Sequence, residues 1–443
     1  MRKLPFVAPI FILILLSTLT FGLERQPNAD YRARREALAQ KAGPNGIFLI
    51  FAGSESEGPN AIYGFHQDEN YYYLTGLTDP GGAVLIAPAH ITPDGKTRPY
   101  TEVLFLPANN RTQEKWTGPK LGPDSPNPRT ATGFDRVVAL DRIHDMLMEV
   151  SPQPFVTLYT NKSEPVDHAI EWLQRTNSFP GFVRVQDGTR QIAELRAVKD
   201  PGEAELIRKA VDASVAGHFA AMKAMKPGVT EHQIAALMEY EYERRGCERP
   251  AYASIVGSGF NSTVLHYSAG SKVIQDGDIV VLDVAGEYSG YASDITRTLP
   301  ANGHFTARQR EIYDIVLGAQ QAAIDAFKSG QSVLTGDGPN SLHKVALDYI
   351  NSHGKDLHGN PLGQYFIHGL GHRVGLNVHD PGPADKALGP GEVFTIEPGI
   401  YIPEESLGVR IEDTFWVDPS GKLINLSGAL PHTAEAVEKA MSK

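Results

Sequence analysis

A single cysteine, Cys247, in 443 residues leaves no possibility of an intrachain disulfide, a CxxC redox pair or a thiolate zinc site. Basic clusters are missing too. Asp and Glu number 52 against 41 Lys and Arg, a formal net charge of −11, which argues against nucleic acid or an anionic lipid surface as a partner. There is no low-complexity tract and no repeat of fixed period, so fibrous and solenoid architectures are excluded. Long hydrophobic runs are confined to the opening text, MRKLPFVAPIFILILLSTLTFG. Arg2 and Lys3 followed by an apolar stretch and small or polar residues read as a secretory signal peptide, residues 1–22, cleaved after Gly22. The expected location is therefore outside the cytoplasm, periplasmic or secreted. The alternative is an uncleaved anchor, but the run falls short of the roughly 20 apolar residues a bilayer requires and Pro9 interrupts it. No other stretch could span a membrane, so no stable membrane partner is expected. Losing Arg2 and Lys3 takes the formal charge from −11 to −13. Stability without disulfides must come from core size and from assembly, expected as a homo-oligomer, a dimer or tetramer.

What the chain does contain is ordinary globular text in two styles. Residues 23–195 alternate helices and strands: YRARREALAQKAG (31–43) is helical, and GIFLIFAG (46–53), AVLIAP (83–88), EVLFLPA (102–108), FVTLYT (155–160) and PGFVRVQD (180–187) are strands. A Pro- and Gly-rich stretch, 117–133, reads as a long surface loop. This is an α/β domain. Residues 196–443 read as α+β, with helices backing an antiparallel sheet. Asp200-Pro-Gly-Glu opens one helix, and T-x-x-Q capping boxes at Thr230 and Thr306 open two more.

Two hairpins carry acids where a sheet core would not tolerate them. IVVLDVAGEYSGYASDITRTLP (279–300) turns at Glu287–Gly290 in a plain register, placing Asp283 opposite Asp294. Directly opposed carboxylates sit only ~4.5–5.5 Å apart at their β-carbons and repel. VFTIEPGIYIPEESLGVRIEDTFWV (393–417) turns near Glu404 and sets Glu397 against Glu412, with Pro398-Gly399 able to insert a bulge. Arg410, two residues before Glu412, shares its face and is a natural partner behind the acids. Burying such charges unpaired costs several kcal/mol, so a cation is expected between them.

FIHGLGHRVGLNVHD (366–380) holds His368, His372 and His379 in an apolar, glycine-rich setting. It lacks the glutamate of a HExxH zinc site and the spacing of a dinucleotide loop. Four carboxylates with one imidazole suit hard or borderline divalent ions, Mn²⁺ first, then Co²⁺ or Zn²⁺, and suffice for two ions ~3.5–4 Å apart. The glycines suggest close backbone packing around a ligand.

These residues resemble the pita-bread metallopeptidases. Asp283, Asp294, His372, Glu397 and Glu412 match that family's five ligands to two divalent metal ions, and IVGSGFNSTVLHY (255–267) resembles its segment carrying a further histidine, here His266. YGFHQDENYYYLTGLTDPGGAVLIA (63–87) and NRTQEKWTGPKLGPD (110–124) resemble the N-terminal domain of Xaa-Pro aminopeptidases. The resemblance implies release of the N-terminal residue from peptides with proline second, through a metal-bridging hydroxide with Glu397 as proton carrier. It implies that His379 hydrogen-bonds the scissile carbonyl, His266 positions substrate and helps the leaving nitrogen, and His368 lines the proline pocket. Arg410 completes the candidate catalytic set, and Trp116 is an aromatic lid reaching a neighbouring subunit's pocket.

The nearest alternative is a dipeptidase of the same fold acting on Xaa-Pro alone. It needs a cation for the substrate's carboxylate, with Arg297 and Arg373 as candidates. The short loop at 403–407 and the text 381–392 bear on peptide length. A non-catalytic binding module would have lost ligands, and none is missing.

Overall fold

The strand Gly46–Phe51 is apolar at every position, GIFLIF, as a strand covered on both faces must be. Its side chains divide by the period of two: Ile47 and Leu49 enter one core, Phe48 and Ile50 the other. A computed structural model describes residues 23–442 apart from 44, 56–62, 89–99, 151–154, 179–181 and 384–385, so the expected signal peptide at 1–22 lies outside the described residues. Gly46–Phe51 lies inside a six-stranded sheet ordered Arg136–Ala139, Tyr100–Leu106, Ala83–Pro88, Gly46–Phe51, Phe155–Thr160, Phe182–Asp187. The middle pairs are antiparallel and the outer ones parallel. The short strand Arg136–Ala139, partly exposed, was not expected; the expected long loop 117–133 begins at the end of a one-turn helix, Glu114–Thr117, and contains another, Pro128–Thr132.

The helix Pro201–Ala224 opens on a capping box at Asp200, and the helices Glu231–Glu243 and Ala307–Ala326 open on capping boxes at Thr230 and Thr306. These helices pack against short antiparallel ladders, giving the expected α/β then α+β organisation. Among the described residues no helix is long and apolar enough to cross a membrane.

The first hairpin departs from the plain register. Ser289 and Gly290 both take positive φ, +51° and +79°, forming a two-residue turn between the paired Tyr288 and Tyr291. The pairing therefore places Asp283 opposite Thr296, not Asp294. Asp294 is two residues from Thr296 on the same strand path, so it is a diagonal neighbour of Asp283 on the same face. The second hairpin keeps its expected register: Ile396 pairs with Asp413 and Gly399 with Arg410, and no bulge intervenes at Pro398.

Candidate metal centre and active site

The two hairpins meet edge to edge. Glu412 N donates to Thr296 O at 3.1 Å, stitching the strand after Asp294 to the strand that carries Glu412. On the far side of Val393–Ile396 runs the histidine segment, an added antiparallel partner: Thr395 N donates to His372 O at 2.9 Å and Glu397 N to Leu370 O at 2.8 Å. Gly371 is small for that reason, since a Cβ there would meet Thr395 O at 2.1 Å. Its glycine serves strand packing; a Cβ on Gly369 would meet nothing within 4 Å.

This convergence surrounds a cavity of about 590 Å³. Asp283, Asp294, His372, Glu397, Glu412, Arg410, His266, His368 and His379 all line it. Ligand atoms of Asp294, His372 and Glu412 lie within 4.8 Å of one another. His372 Nε2 is 3.2 Å from Asp294 Oδ2 and 3.3 Å from Glu397 Oε1. Trp116 is not brought there: 86% exposed, it borders a separate cavity of the same chain.

The electrostatics are those of a site built around missing positive charge. Burial, with the charges of Asp294, Glu397 and Asp283, holds the Glu412 carboxyl well above the ordinary range. Burial likewise raises Asp283 and Glu397, although Arg410 opposes the first shift and His372 the second. Asp283 Oδ1 and Glu412 Oε1 are buried without a hydrogen-bond partner. Orphaned oxygens on crowded carboxylates cost free energy that divalent cations would recover, so the donor set fits the metal pair that the sequence led us to expect. Burial disfavours charge on His372, but Asp294 and Glu397 outweigh it and lift the imidazole to about 9. Burial and Arg410 push His368 down to about 4, leaving it neutral. Burial and the neighbouring His372 lower His379, whose ring centroid is 3.9 Å from that of His372.

Residues 205–419 match the model of "Metallopeptidase family M24", and residues 31–158 match "Aminopeptidase P, N-terminal domain". The Xaa-Pro aminopeptidase of Escherichia coli K12 is 32% identical over 437 residues, spanning 93% of this chain and 97% of that protein. The chain belongs to metallopeptidase family M24. The solved structure of E. coli aminopeptidase P with the inhibitor Pro-Leu superposes on this metallopeptidase with a TM-score of 0.81 at 29% identity, covering 94% of this chain and 99% of that one. The Xaa-Pro dipeptidase of Pyrococcus furiosus is 38% identical over a shorter span, 256 residues, covering 57% of this chain and 68% of that protein.

Several residues that hold this metallopeptidase site together were not anticipated. Thr296 Oγ1 donates to Glu412 Oε2 at 2.7 Å and accepts from Arg410 Nε at 3.1 Å. Thr395 Oγ1 accepts from His372 N and donates to Glu397 Oε1, both near 3 Å (3.1 and 3.0 Å). Tyr401 accepts from Arg410 Nη1 at 2.8 Å and meets His368 Nε2 at 2.9 Å. Its hydroxyl hydrogen is thus free to donate to neutral His368, whose Nδ1 faces Gly369 O at 2.8 Å. The period of two would have found all three, since each lies two or four residues from a ligand on its strand. Tyr252, whose buried hydroxyl has no partner and whose ionisation is opposed by burial and Asp283, carries no such signal.

Behind the histidines, Asp380 accepts from Arg196 Nη2 at 2.6 Å and Lys199 Nζ at 2.9 Å, all three side chains buried. Arg196 also donates to Asn70 Oδ1 and Asn377 Oδ1, tying the His379 turn to the N-terminal part of the chain. The two arginines considered as carboxylate traps are committed elsewhere. Arg297 is fully buried against Asp413 at 2.7 Å, and Arg373 pairs with Glu392 at 2.7 Å. Neither lines the cavity.

Proposed function

We propose that this chain is a Xaa-Pro aminopeptidase, hydrolysing the bond between an N-terminal residue and a proline in second position. The observation that carries this reading over the dipeptidase is the fate of the cations. Among the described residues lining the cavity, Arg410 is the one Lys or Arg, and Asp283 already holds it at 2.6 Å. A dipeptide's carboxylate would have no unpaired guanidinium or ammonium to meet, whereas a longer peptide brings none to that point.

Asp283, Asp294, His372, Glu397 and Glu412 would hold two divalent cations, for which manganese is the proposed identity on the oxygen-rich donor set. Such ions polarise a carbonyl and lower the pKa of water to near neutrality. The chain's own groups do the rest. Arg410 clamps Asp283 Oδ2 and so fixes which carboxylate edge faces the cavity. Burial keeps Glu397 inclined to carry a proton, and its Oε2 lies 4.0 Å from His368 Nδ1, placing a proton donor beside the position of the leaving nitrogen. His379, opposite, offers an imidazole N–H to the scissile carbonyl, while His266 positions the chain. His368 is neutral and packs edge-on to Phe366 at 5.2 Å, a flat apolar wall suited to a proline ring. Proline's nitrogen carries no hydrogen and its φ is fixed, so shape can select it without a hydrogen bond.

Export through residues 1–22, periplasmic or secreted, remains a proposal from the sequence, as does assembly into a dimer or tetramer in which Trp116 reaches a neighbour. Product analysis of Ala-Pro-Ala, Ala-Pro and Ala-Ala-Ala tests the activity. Free alanine from the first alone supports the aminopeptidase; cleavage of the dipeptide alone would establish the dipeptidase instead.

A further inference from the structure

The metal cavity is not closed at its His379 side. A short cavity of about 350 Å³ begins at Val378 and His379 and ends against His66, Glu69, Arg249, Glu287 and Leu376. Those last five residues also border a larger cavity of about 850 Å³, which extends to Tyr63, Trp116 and Lys120. Shared wall residues make the three cavities neighbours in series, a candidate path from the metal site towards the cleft beside the first hairpin.

We infer that this path is a binding groove for the part of the substrate beyond proline, and that it selects peptides carrying a basic side chain there. The inference rests on the aminopeptidase reading above. Only one residue precedes the scissile bond in such a substrate, so a path this long can be filled only by the downstream chain. The larger cavity presents Glu55, Glu69, Asp79, Glu248 and Glu287. Against these five carboxylates stand Lys120, Arg249 and His66, whose imidazole the hydrogen bond to Glu287 raises above its ordinary value; burial lifts Glu248 to about 7, and acids still outnumber basic side chains, five to three. Arg249 is already engaged, 3.5 Å from Glu287 and donating to Tyr63 O and Phe65 O, and Lys120 stands 3.8 Å from Glu55. Exposed Tyr63 adds a ring face at the mouth, which attracts a guanidinium or ammonium as the acids do. Acidic walls around a concave, low-dielectric cleft concentrate that preference.

The test compares kcat/KM for Ala-Pro-Gly-Gly-Lys-Gly and its Glu and Gln counterparts, with the charged residue moved along positions three to six, each normalised to Ala-Pro-Ala. A Lys-over-Glu preference of roughly tenfold at one or more positions is expected, shrinking towards unity as salt rises from about 0.05 to 0.5 M. The doubly substituted Glu55→Gln, Glu248→Gln enzyme should show a smaller Lys-to-Glu ratio; both changes preserve volume, and both ratios are internal to one preparation. Equal rates for Lys and Glu at every position, or a preference untouched by salt and by the substitutions, would overturn the groove while leaving tripeptide cleavage intact. Failure to cleave Ala-Pro-Ala or any longer peptide would instead remove the aminopeptidase reading, and this inference with it.

Discussion

Asp380→Asn removes the one anion that two buried cations share. Its oxygens lie 2.6 Å from Arg196 Nη2 and 2.9 Å from Lys199 Nζ, and none of the three side chains is more than 3% exposed. Asparagine keeps the volume and can still accept one hydrogen bond, but it leaves two positive charges uncompensated. Breaking a buried pair in this way costs ~3–5 kcal/mol. Unfolding entropy of about 2.1 cal/mol/K per residue scales to about 0.9 kcal/mol/K for a chain of this size, so the melting midpoint should fall by ~3–5 °C. The turn that Asp380 anchors also carries His379, so kcat on a proline tripeptide should fall with it. Burial favours the neutral Asp380, but Lys199 and Arg196 outweigh it and hold the carboxyl below its ordinary value. A folded pKa below the unfolded value of about 3.9 means this contribution is complete above that pH and disappears as pH falls through the lower, folded value. Calorimetry from pH 7 to 3 should therefore show the variant's deficit shrinking at the acid end. Scanning calorimetry and steady-state kinetics on wild type and variant decide the matter. A variant with unchanged midpoint and unchanged kcat would refute the claim that this network holds the histidine turn.

Tyr401→Phe removes an acceptor from Arg410 and a donor to His368, and kcat/KM should drop by about 10–100-fold with metal content retained; spectrometric metal analysis beside kinetics checks both. Added Mn²⁺ should raise the melting midpoint of chelator-treated wild type, by the equivalent of ~2.7 kcal/mol at a hundredfold excess over Kd. Glu412→Gln should instead melt higher than wild type without metal, because it relieves carboxylate repulsion, and should lose most of the metal response. Cys247 is buried and burial, with the charge of Glu248 next, pushes its thiol up to about 12, so a thiol reagent at neutral pH should label it only as the chain unfolds.

The ligand set was legible because strands expose it to simple arithmetic. Glu397 and Glu412 are symmetric about their hairpin, and the pairing of Ile396 with Asp413 preserves that symmetry. The first hairpin resisted the same arithmetic. Its register is decided by which residues accept positive φ, and Ser289-Gly290 moved the turn by one position. The acids nonetheless reached one cavity, because a shift of two in pairing keeps the same face. The capping boxes at Thr230 and Thr306 were equally local and appeared where expected. Contacts across the fold left no local trace. Nothing in ELRAVK announces that Arg196 and Lys199 would meet Asp380, more than 180 residues away (181 for Lys199). Arg297 and Arg373 read as surface-capable cations until the structure buried each against its own carboxylate. The strand Arg136–Ala139 is too short and too mixed for a period of two to declare itself.

The central claim is that the two hairpins hold a pair of divalent cations and that this pair powers cleavage before proline. Titrating Mn²⁺ into chelator-stripped protein by calorimetry, while following alanine release from Ala-Pro-Ala, tests it directly. The account predicts two ions bound per chain, with hydrolysis absent beforehand and restored as they bind. Hydrolysis that persists in the stripped protein, or ions that fail to bind, would contradict it.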